Sequence, residues 1–501
     1  MIVQARMETA TLTRHRSGPE STPAGPTPQH EGSRLPAAAF VLLALLAVAG
    51  FVVYPTFPNY DSYYSLLWGR ELLEGQKPSF DAYRAPTQHP LAVFFGAGLS
   101  LLGDVADRLM VGAALASFVV LAAGLYRLAR VAFTPAVGLV AAALLCTRFD
   151  FPFLAARGYI DVAYLAAVVW AAALEAKRPR RGVPVFVLLM LAALMRPEAW
   201  LLSGAYFLWT FPAATWRRRG LYAVLTWAGP VVWAGLDLFA TGDPMFSLTH
   251  TSGLAEELGR QRPVGEVPGL AAEYLKELTK PPVFYAGLVG GLIAAYAVPR
   301  RLAVPFALWA LGLGTFGLVG LAGLSVIDRY LLASALMVMV FASVALAGWD
   351  MLEPGRLRTG WMAAAALVVV AGTAFTATRV NLAAFDTDLR YRGEAHASLE
   401  RVLADPRVRA GLACGPVSVP NHKLVPDTRW VLDAGVDDVY ARADERSKGK
   451  LDRGVALYVT NRTALLRQAL VEASDDPLDS VPLPGYVRAA TSSYYAAYVR
   501  C

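Results

Sequence analysis

The chain has 501 residues, of which 56% are hydrophobic and only 17% charged, well under the roughly 25% charge of an ordinary soluble domain. Its 46 Lys and Arg outnumber its 39 Asp and Glu, for a net charge of +7. The basic residues form short clusters between apolar runs rather than one continuous patch, which is a pattern of membrane orientation and not of nucleic-acid binding. Three cysteines without CxxC spacing exclude a disulfide scaffold and a cysteine-based zinc site.

Residues 1–35 are rich in Pro, Ser and Thr, carry Arg6, Arg14, Arg16 and Arg34, and predict a disordered cytoplasmic tail. The run Leu35–Tyr54 is long enough to cross about 30 Å of hydrocarbon and reads as an uncleaved first helix. A polar, aromatic stretch follows over Pro55–Pro90. Leu91–Leu102 is apolar but too short to span, and reads as a helix lying at the outer interface. Further spans are predicted at 109–126, 134–149, 160–175, 183–195, 198–212, 220–239, 282–298, 302–323, 329–348 and 359–378, for about eleven transmembrane helices. Alternation from a cytoplasmic start puts Arg127/Arg130, Lys177–Arg181, Arg217–Arg219, Arg300/Arg301 and Arg356/Arg358 in inner loops. Asp61, Glu71, Asp81, Asp104, Asp150, Asp161, Glu198, Asp243, Glu256, Glu257, Glu266 and Asp328 then fall outside. Every short basic cluster lands inside, and that fixes the expected orientation.

The outer segments 55–108 and 240–281 are long. The second opens with turn chemistry at Thr241–His250, continues through Arg260, Arg262, Lys276 and Lys280, and reads as a lid rather than a bare connector. After residue 380 the composition turns polar, with a helix-like run at Ala395–Leu403, a strand-like run at Val455–Val459, an amphipathic helix at Thr463–Ala473 and an aromatic end. Residues 380–501 are enough for one small α/β domain outside the membrane. There Cys414 and Cys501 share an oxidising compartment, and a bridge between them is expected. Cys146, within an apolar run, reads as a buried small residue.

Several short motifs fall on the outer face. Asn59-Tyr60-Asp61-Ser62-Tyr63-Tyr64 follows the first helix, and His89-Pro90-Leu91 closes the first outer stretch. Arg157-Gly-Tyr-Ile-Asp161, Met195-Arg196-Pro197-Glu198-Ala199 and Asp328-Arg329-Tyr330-Leu331-Leu332 come later. Their order and common placement over residues 36–350 resemble the GT-C fold glycosyltransferases, and most closely the branch of protein O-mannosyltransferases and lipid A aminoarabinose transferases. The resemblance implies an all-α polytopic core with an outer carboxy-terminal domain. It also implies transfer of a sugar from a polyprenyl-phosphate carrier to an outer hydroxyl, with inversion. Two departures stand out: the Gln88-His-Pro-Leu91 step lacks a doubled proline or nearby lysine, and the terminal domain matches no known pattern.

That chemistry needs a carboxylate to take the acceptor's proton, and Asp61 is the expected base. Asp161 is expected to orient the acceptor or hold a divalent ion, although a helix start favours a carboxylate anyway. Guanidinium groups stabilise a leaving phosphate; Arg329 is the first candidate and Arg196 the second, with Arg84 and His89 within the same outer stretch as further phosphate contacts. Ion pairing with Asp328 explains Arg329 equally simply, a helix–helix turn explains Arg196-Pro197-Glu198, and an interfacial tyrosine belt explains residues 60–64. No cofactor is assigned, and a divalent metal is compatible with Asp161. The expected partners are a polyprenyl-phospho-sugar, a cell-envelope glycan, lipid or protein acceptor, and membrane lipids. The Ala-, Gly- and Arg-rich composition suggests a bacterial plasma membrane. A flippase for a lipid-linked sugar and a non-catalytic wall-polymer-binding protein remain as alternatives, although no paired halves repeat as transporters favour.

Overall fold

A computed structural model describes residues 34–462, 464 and 484–501. The predicted tail, apart from its last two residues, and the predicted helix over 463–473, apart from Ala464, lie outside the described residues.

Helices in chain order build residues 34–379. They are α1 (Arg34–Val53), α2 (Tyr60–Leu73), α3 (Pro90–Ser100), α4 (Ala106–Ala132), α5 (Pro135–Thr147), α6 (Asp150–Ala156), α7 (Asp161–Lys177) and α8 (Val183–Met195). Then come α9 (Glu198–Thr210), α10 (Trp216–Thr241), α11 (Phe246–Glu257), α12 (Val267–Thr279), α13 (Pro281–Ala297), α14 (Pro299–Leu321), α15 (Leu332–Ala347) and α16 (Arg356–Arg379). Every stretch expected to span is helical. Among the described residues six helices are long and apolar enough to cross a membrane, or up to eight if the pairs bent at α5/α6 and α12/α13 each count as one span. The remaining three expected spans are α7, α8 and α9, at 17, 13 and 13 residues, and the shortest reach only about 20 Å at helical rise. The most buried helix is α15, packed against α13, α14 and α5, while α1 and α16 present leucines and valines to the outside. Exposed apolar surface on that scale needs lipid around it.

The carboxy-terminal lobe begins with α17 (Leu382–Leu403) and α18 (Pro406–Leu412), and includes α19 (Val425–Leu432). Its sheet comprises β1 (Val417–Val419), β2 (Val439–Ala441), β3 (Gly454–Val459), β4 (Val487–Thr491) and β5 (Tyr495–Arg500) in the order β2-β1-β3-β5-β4. The first three strands run parallel, and β5 pairs antiparallel with β3 and β4. Val417, Val419, Val455 and Leu457 bury one sheet face against Leu399, Val402, Leu403 and Val408. Cys414 and Cys501 form a disulfide, with Cα atoms 5.2 Å apart, that ties the chain end to the loop before β1.

Helix α2 is held from two sides. On one side it lies directly on α3, where a side chain at Gly69 would strike the backbone of Ala97 and one at Gly96 would strike Ser65. On the other side the lobe grips it. The buried Arg429 reaches Glu71 Oε1 at 2.7 Å, and Glu71 also accepts from the backbone and hydroxyl of Ser79. Trp430 packs on Tyr63, and Arg392 pairs with Asp427 at 3.1 Å while donating to the Pro58 carbonyl.

Candidate active site

The segment around Asp61 is held before any charge is considered. Asn59 caps α2 by accepting from the Ser62 backbone N–H, and its own N–H donates to the Arg157 carbonyl at 2.7 Å. The Ser62 hydroxyl donates to the Gly158 carbonyl at 2.6 Å. Gly158 turns with φ +67, which side chains avoid, and the chain enters α7 at Asp161 three residues later. The starts of α2 and α7 are therefore stitched backbone to backbone, with Asp61 and Asp161 both in first turns, where the helix dipole favours a carboxylate.

Arg329 joins them. It sits on a short 3-10 turn, Asp328–Leu331, ahead of α15, and its Nη2 lies 3.0 Å from Asp61 Oδ2 and 2.9 Å from Asp161 Oδ2. The second oxygen of Asp161 accepts from Arg196 Nη1 at 2.6 Å, and Arg196 Nε and Nη2 both hold Glu198 Oε1, at 2.8 and 2.6 Å. Arg196 ends α8 in extended backbone, as a residue before proline must, and Pro197 starts α9. Carboxylate and guanidinium thus alternate from Asp61 to Glu198. Exposure falls along this row: the side chains of Arg329 and Asp61 are 25% and 17% exposed, those of Asp161, Arg196 and Glu198 only 1%, 6% and 6%. The accessible end is the Asp61–Arg329 pair. Tyr159 lies 5.0 Å under the Arg329 guanidinium and Tyr330 5.4 Å from that of Arg196, closing the floor with rings.

Two side-chain nitrogens beside the row lack hydrogen-bond partners among the described residues. Arg329 Nε and His89 Nδ1 are both buried without a hydrogen-bond partner. His89 precedes Pro90 at the start of α3 and stands edge-on to Trp233. Burial first, and Arg196 next, push its imidazole down to about 4, so the ring is neutral. Arg84 lies apart from the row: its Nε and Nη2 reach Glu257 Oε1 on α11 at 2.7 and 2.6 Å, and its carbonyl accepts from the Tyr60 hydroxyl at 2.6 Å. Cys414 and Cys501 belong to the lobe and not to this site. Among the described residues no group of three or more His, Cys, Asp or Glu is placed to hold a metal ion. The guanidinium of Arg329 stands between Asp61 and Asp161.

Some participants carried little or no signal in the sequence. Glu198 is readable as part of an Arg-Pro-Glu turn, but its ion pair is not. Asp237, inside an expected span, accepts from the backbone and hydroxyl of Ser247 and from Gln88, joining α10 to α11 and to the stretch between α2 and α3.

No family model and no curated protein matches the sequence. Among solved structures, ArnT from Cupriavidus metallidurans in the apo state aligns over 93% of this chain and 98% of its own, with TM-score 0.56 and 14% identity. The chain has the GT-C fold. The Archaeoglobus fulgidus oligosaccharyltransferase in the apo form aligns over 83% of this chain and 65% of its own, with TM-score 0.49 and 13% identity. That GT-C scaffold here places the carboxylate–guanidinium row at one end of the helices, beneath the lobe.

Proposed function

We propose that the chain is a membrane glycosyltransferase that takes a sugar from a polyprenyl-phosphate carrier and passes it to a hydroxyl at the outer face of a plasma membrane. The observation that carries this reading is the accessible Asp61–Arg329 pair, with a buried Arg329 Nε that no acceptor among the described residues fills. An orphaned guanidinium donor is costly, and a phosphate oxygen satisfies it with a charge-assisted bond.

The acceptor hydroxyl approaches the anomeric carbon from the Asp61 side. As its oxygen bonds to that carbon, Asp61 takes the hydroxyl proton. The bond from the anomeric carbon to the carrier's phosphate oxygen breaks, and the phosphate leaves with the electron pair. Negative charge growing there is stabilised by Arg329, with Arg84 and the neutral His89 as further contacts. A single displacement inverts the anomeric configuration. Asp161, Arg196 and Glu198 are too buried to meet substrate and act as positioning residues: they fix the guanidinium of Arg329 so that little reorganisation accompanies charge development. In this reading the amino terminus is cytoplasmic, and residues 380–501 form an extracytoplasmic domain facing the acceptor.

The test is incubation of the purified chain with radiolabelled polyprenyl-phospho-sugars and separation of carrier from sugar. Label leaving the carrier in the presence of an envelope extract, and staying on it with Asp61→Asn, is the expected result. Carriers unchanged across the panel sink the proposal.

A further inference from the structure

Arg84 holds an unusual pose. Its φ of +51 lies in the left-handed region that residues with side chains avoid, and the Tyr60 hydroxyl fixes its carbonyl. Its side chain is only 1% exposed, whereas that of its partner Glu257 is 45% exposed. The pair is anchored at the arginine end and open at the carboxylate end. Glu257 is the last residue of α11, directly after Glu256, and no basic residue occupies that last turn. Two carboxylates at the negative end of a helix dipole are disfavoured, so Arg84 is what retains Glu257 there. The rest of α11 rests on the same outer stretch through His250 to the Ala85 carbonyl at 3.1 Å and Thr251 to Thr87 at 2.5 Å.

The grip is also poorly matched. One oxygen, Glu257 Oε1, serves both Nε and Nη2 of Arg84. A phosphate presents two oxygens to that same edge, the forked geometry guanidinium groups prefer. We propose that Glu257 is a carboxylate latch on Arg84 which the donor's phosphate displaces, making Glu257 a determinant of selectivity for phosphate-bearing lipids and freeing the end of α11 as the donor seats. This rests on the reading of Arg84 as a phosphate contact. A neutral lipid cannot make the exchange.

Farnesyl phosphate, and farnesol as its neutral counterpart, test this on the purified full chain. Glu257→Gln is expected to bind farnesyl phosphate about 5-fold tighter or more, the scale of a modest coupling between sites. Farnesol binding stays unchanged, and Glu256→Gln, one residue away on the same helix end, behaves as wild type. Hydrogen exchange over Phe246–Glu257 should rise when farnesyl phosphate binds the wild type, and should already be raised in Glu257→Gln. Arg84→Gln should bind farnesyl phosphate weakly. If Arg84→Gln binds weakly but Glu257→Gln binds no tighter than wild type, the latch is overturned and the phosphate contact stands. If Arg84→Gln binds as wild type, the underlying reading falls and the latch with it.

Discussion

Arg329 and Asp61 meet across 268 residues of chain, with Nη2 3.0 Å from Oδ2, at the accessible end of a buried ionic row. In the proposed mechanism this pairs the base with the cation that receives the leaving phosphate, so proton removal and charge stabilisation fall at one point. Asp61→Asn keeps the shape of that pair and removes the proton acceptor, so transfer should fall about 10²–10⁴-fold. Polyprenyl phosphate binding should stay within a few-fold of wild type, because Asp161 still holds Arg329. Single-turnover transfer and a separate binding measurement check both; transfer at the wild-type rate removes Asp61 from the mechanism.

Asp161→Asn acts differently. It leaves two guanidinium groups, Arg196 and Arg329, facing one neutral amide in a buried setting, and breaking such a pair costs about 3–5 kcal/mol. The expected result is a lower Tm together with slower transfer. Arg329→Lys should keep more stability yet lose carrier affinity, since an ammonium keeps a point charge near the carboxylates but lacks the guanidinium's further forked edge for a phosphate. An Asp161→Asn protein as stable as wild type would contradict the positioning role.

The junction between lobe and α2 should be acid-sensitive. His396 stacks on Phe57 at 3.7 Å, and its Nδ1 lies 3.2 Å from the Tyr63 hydroxyl. Burial first, then Arg392 and Arg108, hold its imidazole down to about 3. Glu400, 3.4 Å from Nε2, is largely exposed and does not reverse this. The unfolded imidazole takes up its proton near pH 6.5 while the folded one stays neutral. Stability is therefore full above about pH 6.5 and lost as pH falls toward about 3, by up to about 1.4 kcal/mol per unit. His396→Asn should flatten the fall of Tm between pH 7 and pH 5, and an unchanged slope would assign it to other groups.

The Cys414–Cys501 bridge closes a separation of 87 residues. In the chain-entropy model that contributes roughly 4–5 kcal/mol, so Cys414→Ser should loosen β5 and lower the Tm. Alkylation without reductant should modify Cys146 alone in the unfolded wild-type chain.

Orientation is checked by cysteines placed at exposed positions in a Cys146→Ser background. Lys448→Cys, on the lobe, should react with an impermeant thiol reagent on intact cells, and Arg217→Cys, at the start of α10, should not. The reverse pattern would invert the topology.

The helices were readable because lipid demands long apolar runs: α8 occupies the residues expected of it, and the loops around Arg217 and Arg300 carry their charge openly. The members of the ionic row were readable one by one, as charges at helix starts beside turn residues. Their pairing was not, since nothing in the local pattern at Asp61 names Arg329, and the Arg329–Asp328 pair suggested by adjacency gives way to the distant carboxylates. Helix α17 was expected only over 395–403 yet begins at Leu382, because charged residues such as Asp386, Asp388 and Arg390 mask its period. The grip of Arg429 on Glu71 left no trace at all. Each residue looks like surface charge until the lobe folds over α2.

The glycine contact between α2 and α3 bears on how this protein can be altered. Gly69 and Gly96 leave no space for even a methyl group, so the helix carrying Asp61 cannot slide along its neighbour to suit a larger acceptor. Libraries that diversify α2 or α3 will mostly yield chains that do not assemble. Variation in the lobe surface or in α11 leaves that contact untouched, and a change of acceptor or donor is better sought there.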